Sequence, residues 1–141
     1  MRASPNTQAA VEATLSQWAN AYSKRDLDRA LALITPADDV VGIGTGQDEW
    51  RVGTEEFKAE LERDFSQAEV PSVDYEPVVV SEAGSAAWVA GRARVQARVD
   101  GQELTLGGSL TAVLEYRDDR WLLSQMHFSL PAAEQAGGRS F

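Results

Sequence analysis

From Pro71 onward the apolar pattern changes period, and that change constrains the fold more than any other feature of the chain. Four runs, 72–82, 86–99, 102–116 and 120–130, alternate apolar and polar side chains. Alternation at period two sends successive side chains to opposite faces of a strand. Between the runs stand Ala83-Gly84, Asp100-Gly101 and Asp118-Asp119. Asp-Gly is a strong hairpin signal, because both central residues of a type I′ turn need positive φ. The second half of the chain is therefore predicted to be a four-strand meander.

The first half reads differently. Ser4-Pro5 forms an N-cap followed by proline at the first helical position. Val11, Leu15, Trp18 and Tyr22 then recur at helical spacing. Asp26 caps a shorter helix whose apolar stripe is Leu27, Ala30, Leu31 and Ile34, and Thr35-Pro36 ends it. Residues 40–45 and 50–52 suit two short strands around a turn at Gly46-Gln47-Asp48. Gly53-Thr54 opens a third helix, with Glu55 and Glu56 in its first turn and Phe57, Leu61, Phe65 and Ala68 as its stripe. Helices gathered ahead of an antiparallel sheet predict an α+β fold, with the sheet curved into a cone around them. One domain over 1–131 and a flexible tail over 132–141 are expected.

Composition excludes several function classes. Cysteine is absent and histidine occurs once, so neither a disulfide framework nor a Cys- or His-based metal site is available, and no cofactor is implied. Thirteen basic residues against twenty-two acidic ones give a net charge of −9. Such a chain repels phosphate backbones and anionic lipid, so neither nucleic acid nor membrane is expected as a partner. The N-terminus has no apolar signal-like segment, which makes a cytoplasmic location the expectation. The glycines of Gly42-Ile43-Gly44-Thr45-Gly46 are followed by Asp48-Glu49 and no lysine, unlike a phosphate cradle. Asp38-Asp39 and Asp48-Glu49 lack calcium-loop spacing.

The chain resembles the nuclear transport factor two-like superfamily, and within it the SnoaL-like branch. The resemblance runs from about Val11 to Pro131 and rests on the order of several short motifs. These are Trp18-Ala-Asn-Ala-Tyr22, Asp26-Leu27-Asp28, Asp38-Asp39-Val40-Val41, Gly53-Thr54-Glu55-Glu56-Phe57 and the stretch from Arg120-Trp121 to Pro131. The closing Met126-His127-Phe128-Ser129-Leu130-Pro131 is also similar to the end of the calcium/calmodulin-dependent kinase association domain. The resemblance implies a cystatin-like α+β barrel or cone, a pocket within it, and a homodimer. It spans isomerases, dehydratases, cyclases, ligand-binding domains and assembly hubs, so it does not fix function.

On the resemblance, Trp121, Leu123, Gln125, His127 and Ser129 look into the cone. His127 is then the one candidate general acid/base, and Gln125 a polar neighbour. Trp18 and Tyr22 form an aromatic wall, and Trp50 closes the mouth. Arg92 corresponds to a pocket arginine of the kinase association domain and implies a carboxylate-bearing ligand, although Ala112 stands where that domain has its second arginine. Along 86–99, however, Trp88, Ala90, Arg92, Arg94, Gln96 and Arg98 share one face, so Arg92 reaches the pocket only if a bulge intervenes. The isomerases' acidic tyrosine is matched by Trp18 and their basic aspartate falls near Ile43-Gly44. The paired histidines and the Asp-Arg-Asp set of other members are not found. The expectation is a domain binding a small apolar or carboxylate-bearing ligand, or serving assembly, with a His127-dependent cyclase, isomerase or dehydratase as the alternative.

Overall fold

The structure, a computed structural model, describes residues 1–140. Helix α1 (Pro5–Ser23) begins where the Ser4 side chain accepts from the Thr7 amide at 3.2 Å, with Pro5 in the first turn. Val11, Thr14, Leu15, Trp18, Ala19 and Ala21 are buried along it. Asp26 caps α2 (Leu27–Ala32), accepting from the Arg29 amide at 3.2 Å. The stripe in the sequence suggested a helix reaching Ile34, but it stops at Ala32. The reason is a better use of the backbone: Leu33 and Thr35 exchange hydrogen bonds of 2.8 Å each with Leu123, so the segment joins the sheet.

Strands β1 (Val41–Ile43) and β2 (Trp50–Val52) pair antiparallel and lead into α3 (Thr54–Gln67). The meander follows as β3 (Glu69–Ala83), β4 (Ala86–Val99), β5 (Gln102–Arg117) and β6 (Arg120–Ser129). All four predicted runs are strands, and Asp100 and Gly101 both adopt positive φ, at 50° and 77°, as a type I′ turn requires. The Asp118-Asp119 turn reaches the same geometry without glycine, at 52° and 61°.

The six strands form one sheet in the order β2-β1-β6-β5-β4-β3, antiparallel except where β1 runs parallel to β6. The sheet curls without closing, so β2 and β3 remain its edges and the architecture is an open cone rather than a barrel. The N-terminus covers part of one edge: the Ala3 amide donates to the Val80 carbonyl at 2.9 Å, and the Glu82 amide to the Met1 carbonyl at 2.8 Å. Helices α1 and α3 pack inside the curl. Leu15, Leu114, Leu123, Val11 and Val40 are the fully buried centre of the core.

Register irregularities decide which side chains reach that interior. β4 and β5 pair without interruption from Ala86↔Glu115 to Val99↔Gln102. In β3 a shift falls between Pro77 and Val79, leaving Val78 without a partner. In β6 the shift falls at Ser124, since Val113 faces Gln125 whereas Leu114 faces Leu123. One extra residue in a strand reverses the facing of everything beyond it. Residues 132–140 carry no helix or strand and are exposed; the last residue of the expected tail, Phe141, lies outside the described residues.

Candidate functional site

Between the helices and the concave face of the sheet lies a cavity of about 400 Å³. Trp18 and Tyr22 come to it from α1, Phe57, Leu61 and Asp64 from α3, and Leu110, Met126 and Phe128 from β5 and β6. Gly42 belongs to this wall because α3 presses against it: a β-carbon there would stand 2.6 Å from Phe57 Cζ. The glycine-rich stretch thus makes room for a ring. Leu104, near the β4–β5 turn, lines the cavity while 44% exposed, so the space opens towards that hairpin.

The cavity is apolar on most sides and polar at one end. Glu60 and Asp64 are one helical turn apart on α3, on the side of Phe57 and Leu61. The Asp64 carboxylate accepts from the Tyr22 hydroxyl at 2.8 Å, and the Tyr22 ring meets Phe65 edge-on at 5.4 Å. Arg51, from β2, reaches Glu60 at 3.0 Å and Glu49 at 3.9 Å, and Arg63 closes on Glu60 from the outer side at 2.7 Å. The buried Nε of Arg51 has no partner among the described residues. Carboxylate oxygens of Glu49, Glu60 and Asp64 come within 4.8 Å of one another, a spacing that could hold a metal ion, but the Arg51 guanidinium already stands against two of the three.

The electrostatics follow from this crowding. Burial, with Glu60 and Glu49 nearby, raises the Asp64 pKa even though the Tyr22 hydroxyl and Arg51 oppose the shift. Glu60 is also partly desolvated, but its bonds to Arg51 and Arg63 prevail and lower it. Burial and the adjacent Asp64 push the Tyr22 hydroxyl far up, so it remains a neutral donor. Tyr75, on β3, lines the same cavity; burial raises it too, against the opposing influence of the Trp18 indole.

Trp18 and Tyr22 both line the cavity. Trp50 is 63% exposed on β2 and is not among the lining residues. The uninterrupted β4–β5 register keeps Arg92 on the outer face, since the extra residue needed to turn it inward belongs to β3. Gln125 and His127 are likewise exposed on the outer face: the extra residue at Ser124 carries Met126 and Phe128 inward instead. The expected inward set on β6 is therefore corrected by one residue. The sequence reading missed Glu49, Arg51, Glu60, Asp64 and Tyr75. Glu60 and Asp64 did carry a signal, for they sit three residues after Phe57 and Leu61 respectively and so on the inner side of that stripe.

An open, curled six-stranded sheet holding two helices and a one-ended polar cavity defines the chain as a nuclear transport factor two-like cone. A SnoaL-like domain profile matches residues 11–133, and the chain belongs to that family. Solved structures agree on the fold. A candidate dehydratase of the nuclear transport factor two-like family from Streptomyces avermitilis is 18% identical, with a TM-score of 0.78 covering 92% of this chain and 100% of that one. A ketosteroid isomerase-like protein from Erwinia carotovora atroseptica is 20% identical, with a TM-score of 0.77 over 88% and 95% of the two chains. A candidate calcium/calmodulin dependent protein kinase II association domain from Xanthomonas campestris is 21% identical, with a TM-score of 0.69 over 89% and 87%. No curated protein matches the chain in sequence. No helix among the described residues is long and apolar enough to cross a membrane.

Proposed function

We propose that this SnoaL-like domain binds a small, mainly apolar molecule in its cavity and works as a homodimer. The observation that carries the binding reading is the cavity itself. Its volume of about 400 Å³ falls in the range of small-molecule sites, and aromatic and aliphatic side chains enclose a few polar groups at one end. Dimerisation is supported by the outer face of the sheet. Trp88 and Val113 face each other across β4 and β5 there, and both are exposed, at 42% and 37%. A closed twofold contact through such a patch is the commonest form of assembly. Turnover by His127 would require the imidazole in the cavity, and it lies on the other side of the sheet. The expectation of a carboxylate ligand rested on Arg92, which shares that outer face.

Native mass spectrometry of freshly purified protein tests both parts, with a dimer carrying extra small-molecule mass as the expected result. The binding site is tested with the neutral fluorophore N-phenyl-1-naphthylamine. Its emission is expected to rise with wild-type protein and to stay flat with Ala97→Trp, which puts an indole into the cavity from β4. Equal emission with both, at unchanged circular dichroism, overturns the cavity as the site.

A further inference from the structure

The polar end of the cavity has an excess of negative charge. Three carboxylates line it, Glu49, Glu60 and Asp64, against one guanidinium, that of Arg51. Arg51 is spent on Glu60 and Glu49, and among the described residues Arg63, which is 43% exposed, pairs only with Glu60. Asp64 is left with a neutral partner, the Tyr22 hydroxyl on one of its oxygens. Burial, with Glu60 and Glu49 nearby, raises the proton affinity of this carboxylate against the pull of the Tyr22 hydroxyl and of the Arg51 charge, which is committed to its neighbours.

A second feature points the same way. Tyr75 is half-buried on β3 and contributes to the cavity wall. Its hydroxyl proton is donated to no described residue, while its polar neighbour, the Trp18 indole, is itself a donor. A phenol proton at the cavity wall with no acceptor among the described residues is free to meet one from outside the chain. Tyr75 neighbours Trp18 and Asp64 neighbours Tyr22, and these α1 residues are one turn apart. The unused donor and the under-compensated carboxylate thus both line the one cavity.

We propose that the cavity selects an apolar molecule carrying a protonated amine, its ammonium held by Asp64 and a hydrogen-bond acceptor elsewhere on the molecule facing Tyr75. The proposal rests on the cavity being the binding site. It reverses the ligand charge expected from Arg92, because Glu49, Glu60 and Asp64 repel a carboxylate.

The test is calorimetric titration of the full chain at neutral pH with three ligands on one ring system: 1-naphthylmethylamine, 1-naphthalenemethanol and 1-naphthoate. The amine is expected to bind about tenfold more tightly than the alcohol, the gain of a charge-assisted over a neutral hydrogen bond, and naphthoate most weakly. In Asp64→Asn the amine is expected to fall to the level of the alcohol, with the alcohol changed by less than about threefold. Naphthoate binding as tightly as the amine, or an amine preference that survives in Asp64→Asn, overturns the amine proposal and leaves the cavity reading standing. No heat from any of the three overturns both. The wild-type series decides the ligand's charge even if the variant folds poorly.

Discussion

Removing one oxygen from Tyr22 tests the electrostatic account of the cavity most directly. Tyr22→Phe keeps the ring and its edge contact with Phe65, and deletes only the 2.8 Å hydrogen bond to Asp64. A hydrogen bond to a charged group is worth about 1.5–3 kcal/mol, and Asp64 has no other side-chain donor among the described residues. For 141 residues the unfolding entropy is roughly 0.3 kcal/mol/K, so Tm is expected to fall by about 5–10 °C. Asp64→Asn is the informative counterpart. Its amide oxygen can still accept from Tyr22, while the charge crowded by Glu60 and Glu49 is gone. The folded-state pKa of Asp64 lies above its ordinary 3.8, so its contribution to stability is full below 3.8 and is lost as pH rises through the folded value. At pH 7.5 the asparagine variant should therefore lose less than about 0.5 kcal/mol, or gain stability. Thermal unfolding at one protein concentration measures both variants. An Asp64→Asn loss equal to that of Tyr22→Phe would refute the claim that the carboxylate is an under-compensated charge.

Glu60 titrates in the opposite sense. Arg51 and Arg63 hold it below its ordinary 4.5, so its stabilisation is present above pH 4.5 and is lost as pH falls through the lowered value. Glu60→Gln should flatten the acid limb of a plot of urea midpoint against pH, and an unaltered limb would show that the pair with Arg51 contributes nothing there. Gly91 lies where β3 crowds β4: a β-carbon would stand 2.6 Å from the Glu76 carbonyl oxygen and 3.0 Å from Pro77 Cα. Gly91→Ala should cost about 1–3 kcal/mol in chemical denaturation, against less than about 0.5 kcal/mol for Gly107→Ala, whose added β-carbon meets no atom of the described residues across space within 4 Å. Equal losses would mean that the close approach beside the Pro77 irregularity is relieved at no cost.

The contrast between strands and side-chain facing shows what the sequence made legible. Strand positions depend on local alternation and on turn residues such as Asp100-Gly101, and both are written in consecutive letters. Facing along β4 was equally legible, because its pairing with β5 is regular from end to end. On β6 a single extra residue at Ser124 inverted the assignments of Gln125, Met126, His127 and Phe128. Nothing local to Leu123-Ser124-Gln125 announces that irregularity; it arises from how a curved sheet accommodates β5 against β6. The acidic end of the cavity was hidden for another reason. Arg51, Glu60 and Asp64 meet Tyr22 only after β2, α3 and α1 have been brought together, and charged residues on a helix are ordinarily read as its solvated side.

The cavity follows from a mismatch of lengths that these same elements contain. β4 has 14 residues and β5 has 16, contours of about 46 and 53 Å at the rise of a strand. α1 has 19 residues but spans only about 28 Å, because a helix rises less than half as far per residue. The helix covers the half of the sheet where Val89, Ala112 and Leu114 are buried, and it cannot also cover the half leading to the Asp100-Gly101 turn. There Val95, Val99, Leu104 and Leu106 keep an apolar inner face that lines open space. α3 fills part of the remainder with Phe57 and Leu61, and its next turn brings Asp64 rather than another apolar residue to the wall. An apolar residue at 64 would continue the core; an aspartate there keeps the end of the space polar. The Tyr22–Asp64 pair thus marks where core packing ends and the cavity begins, which is why Tyr22→Phe is expected to act mainly on stability and Asp64→Asn mainly on ligand selection.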